Sequence, residues 1–362
     1  MISRSLFVGA FPARRLGDVV EFLDSMRRPV TESDRRPGPY PYYGANGQQG
    51  TIDDFLFNEP LVLLAEDGGH FDAPDRGISY RISGKTWVNN HAHVLRPKPQ
   101  MNLAFLFRVL ENYDVTPFVT GTTRGKLTQA GAAEIVVPVP PIPEQRWIAE
   151  VLDRAEALRA KRRAALAQLD TLTQAIFLDM FGDPITNPRE WQQENLETYF
   201  HFCTGKLDSN AAVPGGEFPF FTCSQDDFRI NTYACDCEAL LLAGNNASAD
   251  YSVKHYKGKF NAYQRTYVIT LQNECNSYDY AQFVLIHRLA ELKRMSKGTN
   301  TKYLTLELLK RIRVPVPPIQ LQMEYARRVM AVNEIRISHH ASLAQLDALF
   351  ASLQHRAFRG EL

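Results

Sequence analysis

Residues 83–86 of this chain read Ser-Gly-Lys-Thr, and a Gly-Lys-Thr triplet is a place where a phosphate could be bound. A phosphate-cradling loop also needs a glycine five residues before Gly84, so that its backbone amides can wrap the anion. Ser79 stands there, and the cradle is incomplete. His91 and His93 could form a metal pair, but on an alternating strand they suit a polar ligand or solvent better. Cys235 and Cys237 lack the second Cys or His pair of a zinc site and read as small strand residues. The sequence contains no Asn/Asp-Pro-Pro-aromatic motif of an amino-methyltransferase. It also contains no paired-carboxylate-plus-lysine nuclease pattern and no readable Ser/His/Asp spacing. The expected catalytic and metal sites are therefore none.

What remains is a set of basic and amide side chains. In the first half they are Lys85, Asn89, Asn90, His91, Thr122, Arg124 and Lys126. In the second half they are Lys206, Asn245, Asn246, Lys254, Lys259, Gln264, Arg265, Thr299, Asn300 and Lys302. Arg and Lys suit guanine edges and phosphates, and Asn and Gln suit adenine. The aromatic residues Tyr42, Tyr43, Phe220, Phe221 and Tyr263 are interleaved with them. Taken singly, each of these residues reads as a solvated loop residue or a turn cap. Their recurrence at repeated positions carries the nucleic-acid reading.

That recurrence is the strongest feature of the chain. Residues 137–142 and 314–319 both read VPVPPI, 177 positions apart, and LAQLD at 166–170 returns at 343–347 with the same offset. Residues 121–128 (GTTRGKLT) align with 298–305 (GTNTKYLT), again 177 apart. Further upstream, Pro41-Tyr42-Tyr43 matches Pro219-Phe220-Phe221, and Ser83-Gly84-Lys85 matches Lys257-Gly258-Lys259. The chain is two copies of one unit: a globular module, a proline-rich joint and a helix. The reading divides it into a recognition module at 1–138, a joint and long helix at 139–185, a second module at 186–315, and a joint and helix at 316–362.

Each part has a local cause. The prolines of the joints remove amide donors and keep the chain extended. Residues 144–180 contain no Pro or Gly, and Val151, Ala155, Leu158, Ala165, Leu169, Leu172 and Ile176 recur at alternating steps of four and three. That spacing predicts a helix with a heptad seam. Val332, Ile335, Leu346, Leu349 and Leu353 repeat it. Arg162, His339 and Ser342 take polar seats. Two such helices in one chain pair most simply with each other, over roughly 50–55 Å. The modules show short β-type runs at 61–64, 87–95, 239–242 and 265–271, with helices at 104–113 and 281–295. The expected fold class is α+β: two similar mixed modules joined by two long helices in an antiparallel coiled coil.

Net charge is +1, so any phosphate affinity must come from local clusters of cations. Five cysteines, an odd number all in the second half, suggest a reduced cytoplasmic protein. No apolar run approaches a membrane span, and the first ten residues lack a cleavable leader pattern.

The joint-plus-helix segments 137–183 and 314–362 resemble the shared regions of the specificity subunits of type I restriction–modification systems. Residues 41–47 (PYYGANG) with 87–94 (WVNNHAHV) resemble one class of their target recognition domains. Residues 205–207, 220–224, 239–245 and 262–267 resemble another class. One departure is Gln320-Leu321-Gln322 in place of Pro143-Glu144-Gln145, which alters the local cap. The resemblance implies that each module reads one half of a split double-stranded DNA sequence. The helices would then set an unread spacer on the order of 10 bp. It also implies two methylation subunits that hold S-adenosylmethionine, flip and methylate an adenine in each half-site, and join motor–nuclease subunits. This chain would bind no cofactor itself. Three other readings stay open here: a specificity subunit of a system without restriction, a self-contained methyltransferase or nuclease, and a coiled-coil scaffold that binds only protein.

Overall fold

The structure, a computed structural model, describes the chain apart from residues 1, 3, 8, 9, 74, 75, 122–124, 227, 247–250, 273–276 and 296–301. The side chains of Arg4, Ser5, Asn246, Met295 and Lys302 also lie outside the description. Two compact units emerge, Met1–Arg163 with Ala341–Leu362, and Ala164–His340. They cut across the four consecutive segments read from sequence, because each unit takes one module and part of both long helices.

The first unit is built on the strand Leu61–Ala65, whose five residues are all buried. Successive strand side chains point to opposite faces, and here both faces are covered. Val62 and Leu64 join the core that includes the helix Leu103–Leu110. Leu61 and Leu63 join a second core under a neighbouring sheet. This explains why the strand reads as an unbroken apolar run. Its four-stranded antiparallel sheet runs in the order Val20–Phe22, Ala92–Pro97, Leu61–Ala65, Ser79–Ile82. A second sheet of four strands pairs Tyr40–Gly44 with Gly47–Ile52 and, in parallel, with Lys85–Val88. The expected single run at 87–95 is thus two strands in two sheets.

The second unit repeats this plan. Leu240 and Leu242 face one core while Ala239 and Leu241 face the other. Its six-stranded sheet again contains one parallel pair, Phe218–Phe221 with Val253–Ala262. The ten-residue strand Val253–Ala262 does alone what Ser79–Ile82 and Lys85–Val88 do together. At the repeat-equivalent positions Gly84 (φ 69°) and Gly258 (φ 131°) the backbone turns in a way that side chains resist. The Gly-Lys-Thr triplet therefore marks a strand corner between two sheets, which explains its glycine without any phosphate.

The proline-rich joints close both modules. Val136–Pro138 pairs with Ala13–Arg15, and Arg313–Pro315 pairs with Gln193–Asn195. The long helices follow, Ile142–Phe181 and Ile319–Phe358, 40 residues each and about 60 Å long. Both contain a fully buried glutamine three residues in. Gln145 donates to Pro140 O (2.7 Å) and Gln100 O (2.9 Å) and accepts from Asn102 N (2.7 Å). Gln322 donates to Pro317 O (2.9 Å) and accepts from Ser277 N (3.0 Å). The altered cap at 320–322 thus keeps the one side chain that clamps joint to module.

The two helices pair through repeat-equivalent contacts inside each unit. Arg159 Nε reaches Asp347 at 2.6 Å in the first unit, and Arg336 reaches Asp170 at 3.5 Å in the second. In the second unit Phe177 meets Tyr325 beyond the Asp170–Arg336 pair, so one helix ascends as the other descends. Partly exposed pairs of this kind contribute about 0.2–1 kcal/mol each, and they serve register more than stability. The seam departs from the expected one at four seats, two on each helix. Leu158, Leu172, Ile335 and Leu349 are 53%, 44%, 48% and 50% exposed. Leu152, Ala155, Leu166, Phe177, Tyr325, Val329, Val332 and Phe350 face inward instead. At three of the four slipped seats the inward residue is Arg159, Thr173 or Arg336, and the apolar pattern steps to the neighbour beside it.

Candidate nucleic-acid interface

In the first module the strand Lys85–Val88 ends in a polar turn. Asn89 is buried, and its Oδ1 accepts from His91 N (2.8 Å) while its Nδ2 donates to Gln49 Oε1 (3.3 Å). Its amide therefore builds the loop. Asn90 is exposed, and His91 Nδ1 lies 2.6 Å from Asp67 Oδ1. Asn89, Asn90 and His91 line a cleft of about 420 Å³ with Arg35, Asn46, Gln49 and Asp67, over the ring of Tyr42. The Arg35 guanidinium stacks on that ring at 3.9 Å, and the Tyr42 hydroxyl bonds to both backbone atoms of Val30. Such a cleft offers donors and acceptors at a rigid floor, which is what reading a base edge requires. Lys85 is exposed on its strand with its ammonium over the rings of Phe55 (4.7 Å) and Tyr40 (5.5 Å), outside the cleft.

A buried ion network adjoins the cleft, with Arg27 donating to the carbonyl of Asn90 at 3.4 Å. Arg27 reaches Glu66 at 2.6 Å and Asp24 at 3.4 Å, and Lys126 reaches Glu66 at 3.0 Å. His93 is fully buried. Its Nδ1 lies 2.6 Å from Asp24 Oδ2, and its Nε2 donates to Leu127 O at 2.8 Å. Burial pushes the Asp24 carboxyl up. The bonds from His93 and the Val94 amide, with the charges of His93 and Arg27, outweigh that and leave it below its ordinary value. Glu66 is likewise raised by burial but held below its ordinary value by Arg27 and Lys126. Among the described residues Asp24, Glu66 and His93 are the one trio close enough to share a metal ion. The Nε2 bond to Leu127 O leaves Nδ1 as the one ring atom that could face an ion. Arg27 and Lys126 also answer both carboxylates, so the trio fits an ion network.

In the second module the described residues are distributed along three segments. Asn245 and Asn246 pair in a short ribbon with Tyr303 and Lys302, which joins two of the expected clusters. Lys254 donates to Gln225 O (3.2 Å), and Gln264 donates to Asp208 (3.2 Å). Lys259 is exposed with its ammonium 4.7 Å from the Tyr233 ring. Lys206 and Arg265 are exposed. Gly244, beside the ribbon, cannot take a side chain, because a Cβ would lie 2.3 Å from Arg265 O. Thr122, Arg124, Thr299 and Asn300 lie outside the described residues.

Sequence reading missed Arg35, Asn46, Gln49 and Asp67 as cleft residues. For Asn46 and Gln49 the signal was available in the polar run between Gly44 and Gly50, where two strands meet in a hairpin. It also missed Glu66 and Asp24, which only the fold brings to His93.

The chain is thus a duplicated α+β module, each copy with its own polar loops, joined to a pair of long helices. The chain belongs to the type I restriction modification DNA specificity domain family, whose model matches residues 11–168 and 188–348. It is 37% identical over 146 residues to a type I restriction enzyme specificity subunit of Haemophilus influenzae, covering 40% of this chain and 37% of that one. It is 32% identical over 179 residues to the EcoDI specificity subunit of Escherichia coli, covering 48% of this chain and 39% of that protein. The matched stretches thus span less than two-fifths of these relatives' length. Its fold is similar to the crystal structure of a type I restriction–modification system S subunit from M. genitalium, with a TM-score of 0.67, 16% identity and 96% of each chain covered. Among the described residues no helix is long and apolar enough to cross a membrane.

Proposed function

We propose that this chain is the DNA-reading, non-catalytic subunit of a type I restriction–modification complex. Each module reads one half of a bipartite double-stranded target. Methylation of adenine and cleavage belong to partner subunits, and S-adenosylmethionine is held by the methylation subunits. The observation that carries this reading is the pair of like scaffolds with unlike polar faces. The first module offers a cleft of Asn, Gln and His side chains, and the second offers Lys259, Arg265 and an Asn-bearing ribbon. Two different readings on one scaffold are what a split target needs.

The helices offer two equivalent places for methylation subunits. Leu158 with Leu349 in the first unit, and Ile335 with Leu172 in the second, are exposed apolar side chains at repeat-equivalent positions. Two copies of the same partner would find the same apolar pair twice. A scaffold that binds only protein would use these positions as well, so DNA affinity separates the two readings.

The test is binding of duplex DNA by the full chain with its methylation partner, measured against salt. The expected affinity falls steeply as salt rises. Lys259→Ala with Arg265→Ala is expected to lower the slope by about two, roughly one for each phosphate left without its cation. Salt-independent binding, or none, would favour the scaffold.

A further inference from the structure

Both modules tie down the same loop with the same two bonds, made by different chemistry. In the first, Leu127 N donates to Glu66 O (2.7 Å), and Leu127 O accepts from His93 Nε2 (2.8 Å). In the second, Leu304 N donates to Gly244 O (2.8 Å), and Leu304 O accepts from the Tyr267 hydroxyl (3.0 Å). Leu127 and Leu304 are repeat equivalents, 177 positions apart, and both are buried. Strand register makes His93 and Tyr267 equivalent too. His93 stands opposite Leu64 and Tyr267 opposite Leu242, each in the strand beside its module's most buried strand.

The residues just before each leucine are candidates for DNA contact. Lys126 precedes Leu127, and Lys302 precedes Tyr303 and Leu304, where the ribbon also brings in Asn245 and Asn246. Neither anchoring side chain needs to touch a ligand. His93 is fully buried with Phe22 at its edge, and the Tyr267 hydroxyl points into a backbone carbonyl. What each fixes is the height of the loop above the sheet. A base-edge hydrogen bond weakens steeply with small errors in distance and angle, so that height translates into selectivity.

We propose that His93 and Tyr267 are equivalent positioning residues for DNA specificity, one for each half-site, acting through the carbonyls of Leu127 and Leu304. The inference rests on the DNA-reading proposal above. His93 is itself oriented by Asp24, which also accepts from Val94 N (3.0 Å) and pairs with Arg27, whereas Tyr267 uses its hydroxyl alone. The two half-sites should therefore respond to different substitutions.

The experiment selects bound sequences from a randomised duplex library, using the full chain in complex with its methylation partner, and records melting temperature beside it. Tyr267→Phe removes one hydroxyl and is expected to flatten base preference in one half-site about 5–10-fold, leaving the other half unchanged and lowering the melting temperature by only about 2–4 °C. His93→Asn keeps a group near Asp24 but is too short for Leu127 O, and it should flatten the other half-site. His93→Gln places an amide donor where Nε2 stood and should restore the preference. Wild-type preference in both halves of Tyr267→Phe would overturn the proposal, as would loss in both halves at once or His93→Gln behaving like His93→Asn. If the wild-type complex enriches no split sequence, the DNA-reading proposal fails first and this one with it.

Discussion

Phe177→Ala is expected to cost about 3–5 kcal/mol of stability in the second unit, because a buried aromatic is lost and its cavity remains. Phe177 is fully buried and stacks on Phe283 at 3.8 Å and on Tyr280 at 5.4 Å. Tyr325 and Phe181 close on it at 5.3 and 4.9 Å. One ring thus joins the end of the first long helix, the start of the second and the helix Tyr278–Met295. Truncating it loosens all three helices at once, and no neighbour is free to swing in. Hydrogen exchange in Tyr278–Met295 and in Cys235–Ala243 checks this, with accelerated exchange expected there and little change in Leu61–Ala65. Phe177→Leu keeps much of the volume and should cost about 1–1.5 kcal/mol. Equal losses for Leu and Ala would mean that ring stacking, rather than filled space, holds the unit.

Arg27→Ala is expected to be nearly as damaging to the first unit, by about 3–5 kcal/mol, since it leaves buried charge without its partner. The side chains of Arg27, Asp24 and Glu66 are only 8–11% exposed. Arg27 also donates to the carbonyls of Ala92 (2.7 Å) and Asp24 (3.0 Å), which a lysine could not match together. The same network predicts a pH dependence. Asp24 and Glu66 have folded values depressed below their ordinary 3.8 and 4.5. The unfolded chain therefore takes up protons first as pH falls. Their stabilisation is present in full above about pH 4.5 and is lost as pH drops through the depressed folded values. Denaturant midpoints at pH 7 and in steps below pH 4.5 measure it. Wild type should lose stability over that range, and Glu66→Gln should lose less. A wild-type midpoint flat down to pH 3 would contradict the network.

Much of this architecture is written in local sequence. Proline joints, uninterrupted helix formers and a 177-residue offset lead directly to two modules and two 40-residue helices. The helix seam was legible except at four seats, and beside two of these Arg159 and Arg336 turn toward the partner helix to reach Asp347 and Asp170. An apolar pattern cannot see an arginine whose charge is answered from another helix. His93 was visible as a polar strand residue, but its depth depends on Asp24 and Glu66, which arrive from 69 and 27 positions away. The cleft was legible in residue type and not in membership. Asn89 turned inward to build the loop, while Gln49 came from a neighbouring hairpin and Arg35 from the loop that precedes it. The repeat nonetheless located both anchored loops, because backbone bonds at Leu127 and Leu304 keep their positions where side chains diverge.

The most direct measurement is single-molecule mapping of N6-methyladenine in DNA from cells that express this chain with its methylation partner, with and without Lys259→Ala plus Arg265→Ala. The account predicts methylation at two short half-sites separated by an unread gap, and loss of that methylation in the double variant. Methylation at one continuous site, or an unchanged pattern in the double variant beside a demonstrably active partner, would contradict it.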